Sequence, residues 1–252
     1  MAGKSGGMGD QVWVGGNDLG ADINSFGRIG GGFATLPATA VTMLAEARFA
    51  GERDGGMDIV SYWNPDAGAS HAVFSALPQT DVTVTYAHTT TIGGPTSNLL
   101  GKQVTYNGNR GQDGSLLLNI NALSNGYGLQ WAFQATAGKR TDAAATGAGA
   151  VSPLDQLLAS PGAFGLTMWV HLFSLASGSV TIKLQESSDN AGDPYTDVVG
   201  ATTGALAAAP TAVRVQTGSI NVERYIKVVT TGTFTNAVFS VSVARHRVET
   251  VF

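Results

Sequence analysis

A mainly-β fold in two consecutive parts is what the sequence predicts, on three observations. Only 13% of the 252 residues are charged, against ~25% in ordinary soluble domains. Small and turn-forming residues, 34 of them glycine, fill the difference. Apolar and polar residues alternate over short runs, the period-two pattern of half-covered strands. Turn-forming Gly, Asn and Pro separate those runs at close spacing. The predicted architecture is a β-barrel or sandwich with one short helix, followed by a second antiparallel sandwich of jelly-roll or immunoglobulin-like type. A secreted β-protein is the bland reading of the same composition.

The break between the parts is placed near Thr141 to Pro161, in which residues 141–153 run Thr-Asp-Ala-Ala-Ala-Thr-Gly-Ala-Gly-Ala-Val-Ser-Pro. So few large side chains cannot bury a core, and the stretch reads as a linker. The expected domains are therefore 1–150, with an N-terminal arm and a C-terminal linker, and 151–252. Residues 1–10 read as an unstructured tail. Gln11 to Val14, around Trp13, is a short strand at best, and Asp18 to Gly32 reads as an arm ordered only by neighbouring molecules. Thr39 to Phe49 predicts a turn or two of helix, with Val41, Leu44, Ala45 and Arg48 on one face. Gly51 would end it.

Met57 to Trp63 alternates with bulk on both sides, a strand covered on both faces. Asn64-Pro65-Asp66-Ala67-Gly68 is a turn. Ser70 is placed as the N-cap of a short helix that runs to Leu77 and stops at Pro78. Asp81 to His88 is a β-branched strand. Leu99–Asn107 and Ser115–Leu123 form a hairpin across Gly108–Gly114. A further strand starts at Gly126 and fades by Gly138. In the second part, Ala163–Leu175, Ser179–Glu186, Ala212–Gln216, Val222–Thr230 and Ala237–Val248 give at least five strands.

Several function classes are excluded or disfavoured. The net charge is −4, both parts are mildly acidic, and no basic run exists to capture nucleic acid. Without cysteine there is no disulfide framework, zinc–thiolate site or thiol nucleophile. The N-terminus lacks the apolar stretch of a signal peptide, and no run approaches the ~18 residues of a membrane span. His71, His88, His171 and His246 are isolated, with no metal-ligand spacing. No Gly-x-Ser-x-Gly elbow is present. Gly27-Arg28-Ile29-Gly30-Gly31-Gly32 lacks the ending of a phosphate loop. Asp189-Asn190-Ala191-Gly192-Asp193 offers oxygens to calcium, but a turn between strands accounts for it better. Trp13, Trp63, Trp131 and Trp169 lie on separate strands and read as core. No catalytic residue, cofactor site or metal site is expected.

The order of elements resembles the major tail tube protein of long, flexible-tailed phages of actinobacterial hosts. The resemblance is carried by Glu52-Arg53-Asp54-Gly55-Gly56-Met57-Asp58-Ile59-Val60-Ser61-Tyr62-Trp63-Asn64, the helix 70–77, and Leu100-Gly101-Lys102-Gln103-Val104-Thr105-Tyr106 with its partner Gly114–Ile120. Ser124–Trp131 and Thr136–Thr141 continue it, over roughly residues 18–141. The part that begins at 151 is similar to modules appended to phage structural proteins, through Val180–Asn190 and Val222–Val228. The resemblance implies a virion protein, assembled in the host cytoplasm, whose copies close hexameric rings by joining their sheets. The rings would stack into a tail tube through the N-terminal arm and long loops. Its partners would be the tape-measure protein and, transiently, DNA in the bore, with tail terminator and distal tail proteins at the ends. Residues 151–252 would project as decoration.

A mildly acidic subunit suits a conduit that must not hold DNA. Asp58, Asp66, Asp81 and Asp113 are the candidate bore or ring-contact acids, although turn chemistry already explains Asp66 and Asp113. Two other readings stay open: a surface module binding host glycans through the C-terminal sandwich, which an exposed row of aromatics would favour, and a capsid decoration protein. An enzyme is the least favoured class.

Overall fold

The computed structural model describes residues 6–159 and 164–247. Residues 1–5 of the expected tail 1–10, and the expected strand ends at Ala163 and Val248, lie outside these. The described residues form sixteen strands and one α-helix. In chain order the strands are β1 (Gln11–Val14), β2 (Asn17–Asp18), β3 (Ile23–Pro37), β4 (Arg48–Tyr62), β5 (Val82–Ala87), β6 (Pro95–Arg110), β7 (Leu116–Ser124) and β8 (Gln130–Gln134). They continue with β9 (Arg140–Asp142), β10 (Leu154–Asp155), β11 (Leu166–Gly178), β12 (Val180–Ser187), β13 (Thr196–Leu206), β14 (Thr211–Thr217), β15 (Tyr225–Thr231) and β16 (Phe234–Arg245). Helix α1 is Ser70–Phe74. The fold is mainly β and antiparallel, as expected, and among the described residues the sheets stay open rather than closing a barrel.

The chain forms two compact units, drawn differently from the expected 1–150 and 151–252. One gathers residues 1–21, 83–98 and 131–252; the other gathers 22–82 and 99–130.

The first unit is a sandwich. One sheet runs β14-β11-β16-β8-β6-β5-β1-β2, with β9 added on β16, and the other runs β10-β15-β12-β13. Leu166, Met168, Val170 and Leu172 of β11 and Phe239, Val241 and Val243 of β16 face Val180, Ile182 and Leu184 of β12 and Ile226 and Val228 of β15. All of these are essentially solvent-free. The alternation of Leu, Met and Val along β11 puts each on this face. The opposite face of β11 carries Trp169 and His171, and it is buried too.

What covers that second face is the N-terminal segment. The larger sheet curls back on itself, so that Thr85 Oγ1 of β5 lies 2.9 Å from His171 Nε2 and the Gly16 amide donates to His171 Nδ1 at 3.3 Å. Trp13 packs edge-on to Phe173 at 5.7 Å. Trp13 is 1% exposed. The residues read as a marginal strand therefore hold one of the largest anchors of the unit. Gly16 sits at φ +88°, where a Cβ would meet Thr211 N at 2.4 Å, so only glycine fits the return. The stretch expected as a linker is tied down as well. Arg140–Asp142 pairs with β16, and Thr146 bridges Thr230. β13, absent from the sequence reading, is an edge strand bulged twice against β12. Its Thr-Asp-Val-Val-Gly-Ala-Thr-Thr-Gly-Ala-Leu composition hides the alternation.

The second unit is a meander in the order β3-β4-β7-β6, with the Leu99–Arg110 part of β6, and carries α1. Met57 and Ile59 of β4 and Leu118 and Ile120 of β7 are its buried centre. The strand and hairpin expected over 57–63, 99–107 and 115–123 form at the expected places. Two expectations are corrected. The arm at 18–32 is strand: Gly30, Gly31 and Gly32 pair with Gly56, Gly55 and Asp54. A Cβ on Gly31 would lie 2.2 Å from Asp54 O, so the glycines serve close approach of two strands rather than flexibility. The helix expected over Thr39–Phe49 does not form. Its apolar face would need a surface to bury against, and Val41 and Leu44 are fully exposed in a hairpin loop.

Helix α1 forms but is shorter than expected. Ser70 is its first residue, not its N-cap: its hydroxyl donates to Tyr62 O at 2.6 Å. Its amide is satisfied by Asp22 Oδ2 at 2.9 Å.

Candidate assembly surface

The chemistry that distinguishes this chain lies on the β3–β4 hairpin. Two 15-residue strands pair from Ile23↔Ser61 out to Pro37↔Arg48. At the root, Met57 and Ile59 are buried. Beyond them the apolar residues continue and the cover does not. Phe33 (58% exposed), Leu36 (53%), Val41 (105%), Met43 (50%), Leu44 (106%) and Phe49 (67%) all face solvent.

Hydrogen bonds, not apolar packing, order the tip. Ala38 N donates to Ala47 O at 2.8 Å, Ala47 N to Thr39 Oγ1 at 3.0 Å, and Met43 N to Ala40 O at 2.9 Å. Burying each large apolar side chain is worth ~1.5–3 kcal/mol, so six of them exposed on one hairpin are a sizeable unmet burial. Among the described residues β3 pairs only with β4, so its outer edge offers unpaired amides and carbonyls as well.

The four candidate acids are not brought together. Asp58 is half-buried on β4 and accepts from Asn121 Nδ2 across the β4–β7 pairing. Asp81 lies 2.9 Å from Lys102 Nζ, and both its oxygens accept from Asn125 Nδ2. The bond to Lys102, with help from Asn125, holds its carboxyl below the usual range. Asp113 closes the β6–β7 turn by accepting from the Ser115 amide (3.0 Å) and hydroxyl (2.7 Å), which likewise depress it. Asp66 is an exposed turn residue whose amide donates to Asn64 Oδ1 at 3.1 Å. Asp66 and Asp113 thus do turn work, while Asp58 and Asp81 lock neighbouring strands.

The remaining side chains divide as follows. Asp189 accepts from the amides of Ala191, Gly192 and Asp193, so the turn reading accounts for it. No group of His, Asp and Glu among the described residues could hold a metal. His171 is fully buried: Nδ1 accepts from Gly16, and Nε2 donates to Thr85 Oγ1, whose proton goes to Asn98 Oδ1 at 2.7 Å. That is the neutral tautomer, and burial pushes its pKa down to about 3. His246 Nε2 meets Thr167 Oγ1 at 2.9 Å. His71 Nδ1 lies 2.5 Å from the Tyr106 hydroxyl, with the Trp63 ring 5.3 Å away. The expectation that every tryptophan is core holds for Trp13 and Trp169 and fails for Trp63 (43% exposed) and Trp131 (59%).

No protein-family model matches the chain, and no curated protein does. Among solved structures it is similar to the Dit protein of phage SPP1, described as a paradigm of the hub adsorption apparatus in phages infecting Gram-positive bacteria. The identity is 12% and the TM-score 0.36, over 94% of this chain and 99% of that one. It is also similar to a chain of the phage p2 baseplate in its activated conformation with Sr, at 9% identity and TM-score 0.36 over the same shares. A phage P2 baseplate chain with Ca matches at 11% and 0.30, over 95% and 99%. At these scores the likeness by itself assigns neither a family nor an activity.

Proposed function

We propose that this chain is a structural subunit of a phage tail that acts by self-assembly. Its copies join into hexameric rings, and the rings stack into the tube through which DNA leaves. The observation that carries the reading is the β3–β4 hairpin: six large apolar side chains displayed beside an open strand edge. A head-to-tail contact of this kind closes a ring when the rotation per subunit closes. Ring closure also removes the hazard of the open edge. The resemblance of residues 18–141 to tail tube proteins supports the same assignment. On this reading the tape-measure protein and DNA pass through the bore, terminator and distal tail proteins meet the ends, and the finished protein resides in the virion tail after assembly in the host cytoplasm. On this reading it is not an enzyme: the fully buried His171 is taken up by structural hydrogen bonds to Gly16 and Thr85, and the buried His246 meets Thr167 Oγ1 with no metal-holding group of His, Asp and Glu around it among the described residues.

Negative-stain electron microscopy of the purified chain over a concentration series tests this. Stacked six-fold rings support the tube, and single rings that never stack move the chain to a terminal ring of the tail. A particle that is monomeric or trimeric at every concentration, and unchanged by Leu36→Ser with Phe49→Ser, removes the assembly role of the hairpin.

A further inference from the structure

The second exposed aromatic surface lies in the first unit, around β8. Its burial alternates strictly, buried Gln130, Ala132 and Gln134 against exposed Trp131 and Phe133, so the two rings stand side by side on one face. Phe133 pairs with Val243 of β16, and Arg245 falls two residues further along, beside Trp131. Together with Gln156, Leu158 and Arg247 these residues line an open cleft of about 150 Å³.

Three features of the cleft point to a ligand. Trp131 is pre-set: His88 stacks on it at 6.0 Å and 19°, within the range of favourable offset ring pairs. An exposed indole held in this way is a platform, not a packing element. The polar lining is one-sided, with two arginines and no carboxylate, in a chain of net charge −4. Arg245 is braced through its two terminal nitrogens on the carbonyls of Leu158 and Glu223, and Arg247 is exposed at the mouth. Finally, Gln156 Nε2 and Arg245 Nε are buried with no hydrogen-bond partner, although nearly all such groups in folded proteins have one.

The chemistry selects among ligand classes. β8 lies between β16 and β6, so a peptide has no strand edge to extend here. Two arginines in an acidic chain do not make the continuous basic track that single-stranded nucleic acid follows. Two flat rings above a cationic, amide-bearing floor suit a ring with an apolar face, polar rim and negative group. We infer that this cleft binds an acidic saccharide, with sugar rings stacked on Trp131 and Phe133 and a carboxylate or phosphate at Arg247, above Arg245 and Gln156. This binding function is separate from ring assembly and does not rest on it.

The test is an array of uronate-, sialate- and glycerol-phosphate-bearing oligosaccharides beside neutral ones, probed with the full chain. The best binder is then titrated by tryptophan fluorescence. The expected result is selective retention of one acidic class, weakened about tenfold by Trp131→Ala, the loss of one stacking contact. Arg247→Gln should weaken it too, whereas Trp63→Ala, at the other exposed indole, should not. Circular dichroism melting of each variant shows that it is folded. The inference is overturned if no acidic saccharide is retained above the neutral ones, if Trp131→Ala binds as well as the parent, or if polyphosphate or single-stranded DNA competes equally.

Discussion

Asp142 is 5% exposed and is held by three bonds: Arg140 grips both its oxygens, at 2.9 and 2.8 Å, and the Thr230 hydroxyl adds a third at 2.7 Å. Arg140 in turn donates to Val228 O at 2.8 Å and lies over the Phe239 ring at 4.7 Å. Removing one partner of such a pair leaves a buried charge, so Asp142→Ala is expected to cost about 3–5 kcal/mol, read as a fall in the urea midpoint. His171 gives the acid side of the stability curve. Its folded pKa of about 3 lies below the ordinary histidine value of 6.5, so between these values the unfolded chain binds the extra proton. Its contribution is whole above pH 6.5 and declines as the pH falls toward 3. His171→Asn should therefore flatten the loss of stability between about pH 6.5 and 4, in parallel denaturant titrations. Neither residue was legible as important. Asp142 stands in a run of Ala, Thr and Gly, and its burial depends on contacts far along the chain: Thr230, and the Val228 carbonyl and Phe239 ring that hold its partner Arg140. His171 looked isolated because its partners, Gly16 and Thr85, lie 155 and 86 residues away in sequence.

Elements that depend on local pattern were legible, and elements that depend on a partner were not. β5, β6 and β7 follow from alternation and turn residues. β3 does not, because its centre is glycine, and only the facing glycines of β4 show why. Gly31 gives a direct check: a Cβ there would meet Asp54 O at 2.2 Å, so Gly31→Val must push the strands apart. The expected outcome is faster amide exchange on both sides of the hairpin from residue 28 to 58, with β6 and β7 amides less affected. The candidate assembly surface was half legible. Val41 and Leu44 were read as one face of a helix; both are fully exposed, in a loop. They were assigned to a helix because periodicity reports which residues are apolar together, not what they will meet.

At the scale of the molecule, low charge and a projecting apolar hairpin make a chain whose surface is unfinished when it is alone. Replacing residues 38–47 by a two-residue Asn-Gly turn, which suits a tight hairpin, should shorten the joint without touching the buried centre at Met57 and Ile59. The expected outcome is a monomer in sedimentation velocity at concentrations where the parent associates, with an unchanged or higher melting temperature. The composition announced a β-protein. It did not announce the two units, because the segments 83–98 and 131–150 join the C-terminal half through contacts that no local signal marks.

The connectivity of those units has a practical consequence. The polypeptide passes from one unit to the other at 21/22, 82/83, 98/99 and 130/131, four times in all. No single cut therefore releases either unit whole, and a fragment ending at residue 150 would strand Trp13 and β5 without the β11 face they cover. No contiguous stretch of the gene carries either unit whole without part of the other, so recombination is expected to pass the two units on together rather than exchange one of them.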